Sequence, residues 1–230
     1  MSQYRIAELN IDMVCSGRTA AQAEAYASAW SGAPDLTLRV DAGAVLAAHP
    51  ELETADMAEY LASGERFAVG LLSFHGMMLH ASAVELQGRA VCFSAPPGVG
   101  KSTMTARWER LFGAAVLNDD KPALRRLDGQ WRAFGTPWSG KHDKSISRGA
   151  PLSAICFLFR GEENAMERIS PAEALPLFMS QTIFRLSRAD LVQLLDLADE
   201  LLREVPLYRL TCRNDDSAAE FARAALFEKT

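Results

Sequence analysis

Residues 94–103 read SAPPGVGKST, and a short way further on residues 114–120 read AAVLNDD. The first stretch follows the spacing of a phosphate-binding loop, glycine, four residues, glycine, lysine, then serine or threonine, at every fixed position but the first, where Ala95 stands. Gly98 and Gly100 let the backbone approach anionic oxygens, and the helix expected after them offers amide donors at its N-terminus. Pro97, Gly98, Val99, Gly100, Lys101, Ser102 and Thr103 form the expected cradle. In it Lys101 follows the β and γ phosphates of ATP and Ser102 ligates Mg2+. Ala95 gives up a permissive backbone position but removes no ligand, because such a loop binds through its amides. Pro96 and Pro97 restrict the approach and predict a loop that is ordered before nucleotide arrives. A glycine-rich turn carrying an exposed lysine is the plainer alternative.

Asp119 and Asp120 close the apolar AAVL run. One carboxylate beside Mg2+ and another that orients or deprotonates a hydroxyl would complete phosphoryl chemistry. The doublet alone does not say which does which, and a solvated strand end would look the same. His80 stands just before the strands that feed the loop, where its ring can contact Asp119 or a phosphate oxygen. A histidine satisfied by backbone groups is the alternative there. In TPWSGKHDKSISRGAP, residues 136–151, Lys141, His142, Lys144 and Arg148 can close over phosphates or meet an acidic acceptor, or can be a charged surface loop. Trp138 reads as packing before stacking.

These residues need a scaffold. MLHASAVEL and AVCFSA, joined through Gln87 and Gly88, predict a hairpin whose second strand runs into the loop. Met104, Trp108, Leu111 and Phe112 recur at near-helical spacing, so the order is strand, loop, helix. Asp128-Gly129 marks a second hairpin between PALRRL and QWRAFG. LSAICFLF, 152–159, predicts a buried strand, and VPLYRLTC a returning one. Ser170-Pro171-Ala172-Glu173 and Ser187 with Asp190 are helix starts, and DSAAEFARAALF reads as a terminal helix. Upstream the pattern is weaker: residues 7–15 and 36–41 predict strands, 19–30 is alanine-rich, 42–65 has no firm period, and FAVGLLS reads with the apolar, partly alternating runs. We therefore divide the chain into an N-terminal subdomain or sheet extension, 1–65, and a nucleotide-binding domain, 66–230.

At 230 residues, 49% of them hydrophobic, the chain can bury one sizeable core. A net charge of −5 gives no general attraction to nucleic acid. No apolar run approaches a membrane span, so a cytoplasmic protein with no membrane partner is expected. Cys15, Cys92, Cys156 and Cys212 are too dispersed for a zinc site and read as reduced, buried thiols.

Taken together, MLHASAVELQGRAVCFSAPPGVGKST followed by AAVLNDD resembles the catalytic domain of bacterial HPr kinase/phosphorylase and its smaller serine-kinase-like relatives, over roughly residues 75–160. The resemblance implies an α/β fold with a phosphate-loop core akin to that of phosphoenolpyruvate carboxykinases, mixed β-sheets and a C-terminal helical portion. It implies ATP- and Mg2+-dependent phosphorylation of a hydroxyl, with serine in a peptide or protein as the expected acceptor. A small-molecule hydroxyl, and a nucleotide-gated scaffold without transfer, are the alternatives; a homo-oligomer is compatible with either. By the same resemblance Lys101 and Ser102 serve phosphate and metal, His80 sits beside the reacting centre, Asp119 activates the acceptor and Asp120 is the metal-side partner. The segment Pro137-Trp138-Ser139-Gly140-Lys141 also looks like one carried by these relatives, which makes Lys141 the preferred transition-state cation and Arg148 the second.

Overall fold

The computed structural model describes residues 2–182 and 186–228. Two antiparallel strands open the chain, β1 (Gln3–Ile6) and β2 (Leu9–Met13), and β3 (Leu36–Leu38) adds in parallel to β2. The strand expected over 7–15 is shorter, Leu9–Met13, because Ala7 and Glu8 take φ of 51° and 63° and form the turn that joins it to β1. Between β2 and β3 lies α1 (Gly17–Ala23), which runs into a 3-10 turn over Glu24–Tyr26.

Two helices follow, α2 (Ala42–Ala48) and α3 (Ala55–Leu72). The Thr54 hydroxyl caps α3 by accepting from the Met57 amide at 3.1 Å. FAVGLLS, read from sequence with the strand-like runs, is therefore mostly the end of a long helix. Its buried face, Tyr60, Ser63, Gly64, Phe67, Ala68, Leu71 and Leu72, keeps helical spacing. That face is built partly from small and polar residues, so its period is faint when read as hydrophobicity. The expected boundary at 65–66 falls inside α3. Its apolar face shares one core with Ile6, Leu9, Ile11, Met13 and Tyr26 on the N-terminal side, and with Met78, Ala123, Phe134 and Trp138 beyond.

The remaining strands are β4 (Gly76–Met78), β5 (Ala81–Leu86), β6 (Arg89–Ser94), β7 (Ala115–Asn118), β8 (Ala123–Leu127), β9 (Gln130–Phe134), β10 (Gly149–Arg160), β11 (Ala165–Arg168) and β12 (Leu207–Cys212). Both expected hairpins form, with positive φ at Gln87 and Gly88 in one and at Asp128 and Gly129 in the other. The long β10 joins two parts of the sheet: its start pairs antiparallel with β9, and its remainder lies parallel to both β6 and β12. The order from one edge is β7, β5, β6, β10, β12, β11, and on the other side β10, β9, β8, β4.

The continuous apolar strands are buried on both faces, which removes the usual polar alternation. Ala90 and Cys92 of β6 and Ile155 and Phe157 of β10 turn to one face, against Leu194, Leu197, Ala198 and Leu201. Val91, Phe93, Ala154, Cys156 and Leu158 turn to the other, against Met104, Trp108, Ala218 and Ala222. The helices concerned are α5 (Pro171–Met179) and α6 (Arg188–Glu204) on the first side, and α4 (Lys101–Phe112) and α7 (Asp216–Phe227) on the second. Capping boxes form at both expected starts, Ser170 with Glu173 and Ser187 with Asp190. The fold is thus mixed α/β with mixed sheets and C-terminal helices. Among the described residues no helix is long and apolar enough to cross a membrane. Cys92 and Cys156 are buried, whereas Cys15 and Cys212 are half-buried, and all are free thiols.

Trp138 fastens the N-terminal layer to the sheet. It is 1% exposed, stacks on Phe67 with ring centroids 4.8 Å apart, and donates from Nε1 to the Ser63 hydroxyl at 3.0 Å. Gly64 leaves it room, since a Cβ there would come within 2.8 Å of the indole. Packing is its role, and Trp138→Ala is expected to lower unfolding free energy by about 3–5 kcal/mol. Urea unfolding of the two proteins measures the difference.

Candidate functional site

β6 delivers the chain into the glycine-bearing loop, and α4 begins at Lys101 with Gly100 as its N-cap residue. Gly98 and Gly100 hold φ of 81° and 134°, conformations a side chain would strain. Ala95 is not among the positive-φ residues; it is buried and packs in the core beneath α4. The position where the pattern expects glycine therefore needs none here. Arg160, at the end of β10, donates to the carbonyls of Gly98 and Val99, the latter at 3.3 Å, and braces the loop from outside.

Lys101 is 8% exposed and folds back so that Nζ donates to the Ala95 carbonyl at 2.6 Å. Burial pulls its pKa down, while the charge of Asp120 works the other way. An ammonium parked on a neutral carbonyl above a row of amides is poised to move onto an anion.

The acidic pair sits at the end of β7, separated from β6 by β5. Asn118 shapes that end: its Oδ1 accepts from the amides of Asp120 at 2.8 Å and Lys121 at 2.6 Å, and its Nδ2 donates to the Thr136 carbonyl at 3.0 Å. This Asx turn sends the two carboxylates in different directions. Asp119 is 5% exposed, accepts from the Gly140 amide through Oδ1, and leaves Oδ2 without a hydrogen-bond partner. Burial raises its pKa against the pull of the Gly140 amide. It lines a cavity of about 90 Å³ with Ser102, Thr105, Ala106, His142 and Lys144. A carboxylate and a hydroxyl lining one small cavity suit a hard divalent cation whose remaining oxygen ligands come from substrate or water. Among the described residues no group of three His, Cys, Asp or Glu side chains is gathered to hold a metal by itself.

Asp120 points elsewhere. Its Oδ1 lies 3.1 Å from Nε2 of His80, and its Oδ2 3.7 Å from Nζ of Lys121. Burial pushes its pKa up, but the hydrogen bond from His80 and the charges of Lys121, His80 and Lys101 hold it below the usual carboxylate range. His80 is anchored in turn by Gln181, whose Oε1 lies 2.9 Å from Nδ1 and whose carbonyl accepts from the His80 amide at 2.9 Å.

The structure thus brings Lys101, Ser102, Asp119, Asp120 and His80 to one end of the sheet. Of the basic loop residues it brings in His142 and Lys144, and not the two preferred ones, Lys141 and Arg148. Lys141 is exposed on the loop. Arg148 pairs with Glu85, near the end of β5 remote from Ala81 and the loop, roughly 13 Å along the strand. His142 and Lys144 line the cavity instead, with Lys144 also paired to Glu109 of α4.

Sequence reasoning also missed the residues that hold the 137–143 segment over Asp119. Arg18 of α1 donates to the Gly140 carbonyl at 3.0 Å and to Asp143 at 2.7 Å, with its guanidinium 4.3 Å from the Tyr60 ring centroid. Tyr60 of α3 donates to the Ser139 carbonyl at 2.6 Å, and the Ser139 hydroxyl donates to Gln22 at 3.1 Å. The N-terminal layer therefore sets the loop whose Gly140 amide fixes Asp119. Only Asn118, directly before the acidic pair at a strand end, carried a local signal of its part.

Fold and site together define a mixed α/β protein with a glycine loop, a buried lysine and two divergent carboxylates at one sheet end. Residues 67–217, more than half of the chain, match the family described as SynChlorMet cassette protein ScmC, and the chain belongs to that family. Among solved structures it is similar to the Hpr(Ser) kinase/phosphatase from Coxiella burnetii, at 12% identity and a TM-score of 0.38, over 65% of this chain and 97% of that one. No curated protein matches.

Proposed function

We propose that the protein transfers the γ-phosphoryl group of ATP, with Mg2+, to a hydroxyl, and that the acceptor is a serine in a peptide or protein. The observation that carries this reading is the placement of Lys101, Ser102, Asp119, Asp120 and His80 around one loop and strand end. The acceptor class rests on the resemblance of the two motif segments to HPr kinase and its smaller relatives.

In this reading the amides from Gly98 to Ser102 cradle the phosphates, and Lys101 leaves the Ala95 carbonyl to neutralise the β and γ oxygens. Bound Mg2+ supplies charge neutralisation and orientation of the triphosphate. Ser102 and Asp119 would hold it, because both line one small cavity and the Asp119 Oδ2 has no hydrogen-bond partner. Asp120, a quarter exposed and bonded to His80, then stands where an acceptor hydroxyl can approach. The acceptor oxygen bonds to the γ phosphorus, the bond from that phosphorus to the bridging β oxygen breaks, and the hydroxyl proton passes to Asp120. This exchanges the carboxylate roles that the resemblance implies. A weak base suffices, since a loose transition state leaves little to deprotonate early.

Incubating purified protein with γ-labelled ATP, Mg2+ and cell extract or serine peptides is expected to yield a labelled peptide or protein. Tight Mg-ATP binding with no transfer to any hydroxyl would replace the kinase with a nucleotide-gated scaffold. Arg18→Ala tests the contribution of the N-terminal layer: it is expected to slow transfer by roughly tenfold through loss of loop position. Its urea unfolding midpoint should stay close to that of the parent, because the side chain is partly solvated.

A further inference from the structure

Gln181 is not among the residues that line the cavity of Ser102 and Asp119, yet its side chain reaches the reacting end of the sheet through His80. It follows α5 directly. Its amide donates to the Phe178 carbonyl at 2.9 Å, and the Thr182 hydroxyl donates to the Met179 carbonyl at 3.1 Å. The capping box at Ser170 starts that helix and Phe178 is fully buried, so the turn after it is carried by a fixed element. Gln181 itself is 8% exposed. A carboxamide buried to that degree needs its polar atoms matched.

The backbone of His80 is held on several sides: its amide donates to the Gln181 carbonyl at 2.9 Å, its carbonyl accepts from the Ser94 hydroxyl at 3.1 Å, and the next amide, of Ala81, donates to the Asp120 carbonyl at 3.0 Å. Only the ring is left to be oriented. A chain of hydrogen bonds with one direction does this. The Ser180 hydroxyl donates its single proton to the Leu177 carbonyl at 2.7 Å, so its oxygen is left to accept. Gln181 Nε2, 3.1 Å away, donates to that oxygen, and this turns Oε1 toward the ring, 2.9 Å from Nδ1. A carboxamide oxygen only accepts, so Nδ1 carries the proton of that bond. The opposite nitrogen, Nε2, then stands 3.1 Å from Asp120 Oδ1.

We propose that Gln181 is a positioning residue for phosphoryl transfer: its carboxamide oxygen, aimed by Ser180, holds the His80 ring in the orientation that keeps Asp120 in place for the acceptor hydroxyl. The proposal rests on the kinase reading above. Without that grip the ring can turn about its χ2 bond, and Asp120 loses the partner that fixes it. The contacts expected to bind ATP are untouched.

The test compares Gln181→Met, which keeps the length of the side chain and removes the acceptor, with Gln181→Glu, which restores an acceptor oxygen. Label incorporation from γ-labelled Mg-ATP into the protein of one cell extract gives the limiting rate and the ATP concentration at half of it. Gln181→Met is expected to lower the limiting rate by roughly 10–10²-fold, with half-saturation within about twofold of the parent, and Gln181→Glu to recover most of that loss. Ser180→Ala, at an exposed position, keeps the test valid if Gln181→Met does not fold. It leaves the carboxamide free to flip and should slow transfer by roughly threefold, and an unchanged rate there would then overturn the proposal. Proton spectra edited by 15N supply a readout apart from transfer: a slowly exchanging Nδ1–H of His80, assigned by its absence in His80→Asn, should appear in the parent and in Gln181→Glu but not in Gln181→Met. A Gln181→Met protein as fast as the parent, equal losses in Gln181→Met and Gln181→Glu, or a parent spectrum without that N–H would each overturn the role of Gln181 and leave the kinase reading standing. A parent that labels no hydroxyl removes the kinase reading, and the role of Gln181 in transfer falls with it.

Discussion

Lys101→Ala is expected to reduce phosphoryl transfer by at least about 10²–10³-fold, the scale seen when one preorganised transition-state contact is deleted. That factor corresponds to roughly 3–4 kcal/mol of barrier. In the free protein Lys101 spends its charge on a single neutral carbonyl, 2.6 Å away, while burial lowers its pKa. An arriving anion reverses both conditions, so the ammonium gains more from the reacting phosphate than from its resting partner. Folding should tolerate the change, because what is removed is a partly desolvated cation together with its own hydrogen bond. Single-turnover transfer from γ-labelled ATP, beside urea unfolding of the same variant, separates the two effects. A transfer rate equal to that of the parent would sink the role of Lys101.

What the sequence made legible was local. The two turns at Gln87-Gly88 and Asp128-Gly129, the capping boxes at Ser170 and Ser187, and the strand, loop and helix around Lys101 each depend on residues a few positions apart. The parts that stayed hidden depend on distant partners. Arg18 and Gly140 are separated by 122 positions, and His80 and Gln181 by 101. No spacing rule reaches that far. α3 escaped for a different reason: its buried stripe uses Ser63 and Gly64 because Trp138 lies directly against them, so tertiary contact overrides a weak hydrophobic period. Arg148 shows the converse error. Its type and position on a basic loop fit a phosphate contact, but the start of β10 carries it to Glu85 instead.

The loop departure at Ala95 ends differently from what a pattern match implies. A fixed glycine is informative only where its backbone needs positive φ, and here Gly98 and Gly100 carry that need. Ala95 gains burial in the core under α4, and its carbonyl becomes the resting site of Lys101. Arg160 adds two hydrogen bonds to the loop carbonyls beside the backbone restriction that the two prolines impose.

The two aspartates give the sharpest separation of roles. Asp119→Asn retains an oxygen to accept from Gly140, so the loop over it should stay in place, but the buried side chain can no longer supply charge to a cation. Its expected signature is a raised Mg2+ requirement, by about tenfold or more, with affinity for metal-free ADP unchanged. Asp120→Asn retains an acceptor for the His80 ring and loses the proton acceptor. Its expected signature is a fall in kcat of roughly 10²–10⁴-fold at an unaltered Mg2+ requirement. The measurement is transfer rate against Mg2+ concentration for both variants under saturating ATP. The opposite pairing, with Asp120→Asn shifting the Mg2+ curve and Asp119→Asn lowering only its plateau, would restore the roles implied by the family resemblance. Geometry argues against that outcome: Ser102 shares its cavity with Asp119, whereas Asp120 is committed to His80 and lies on the more open side.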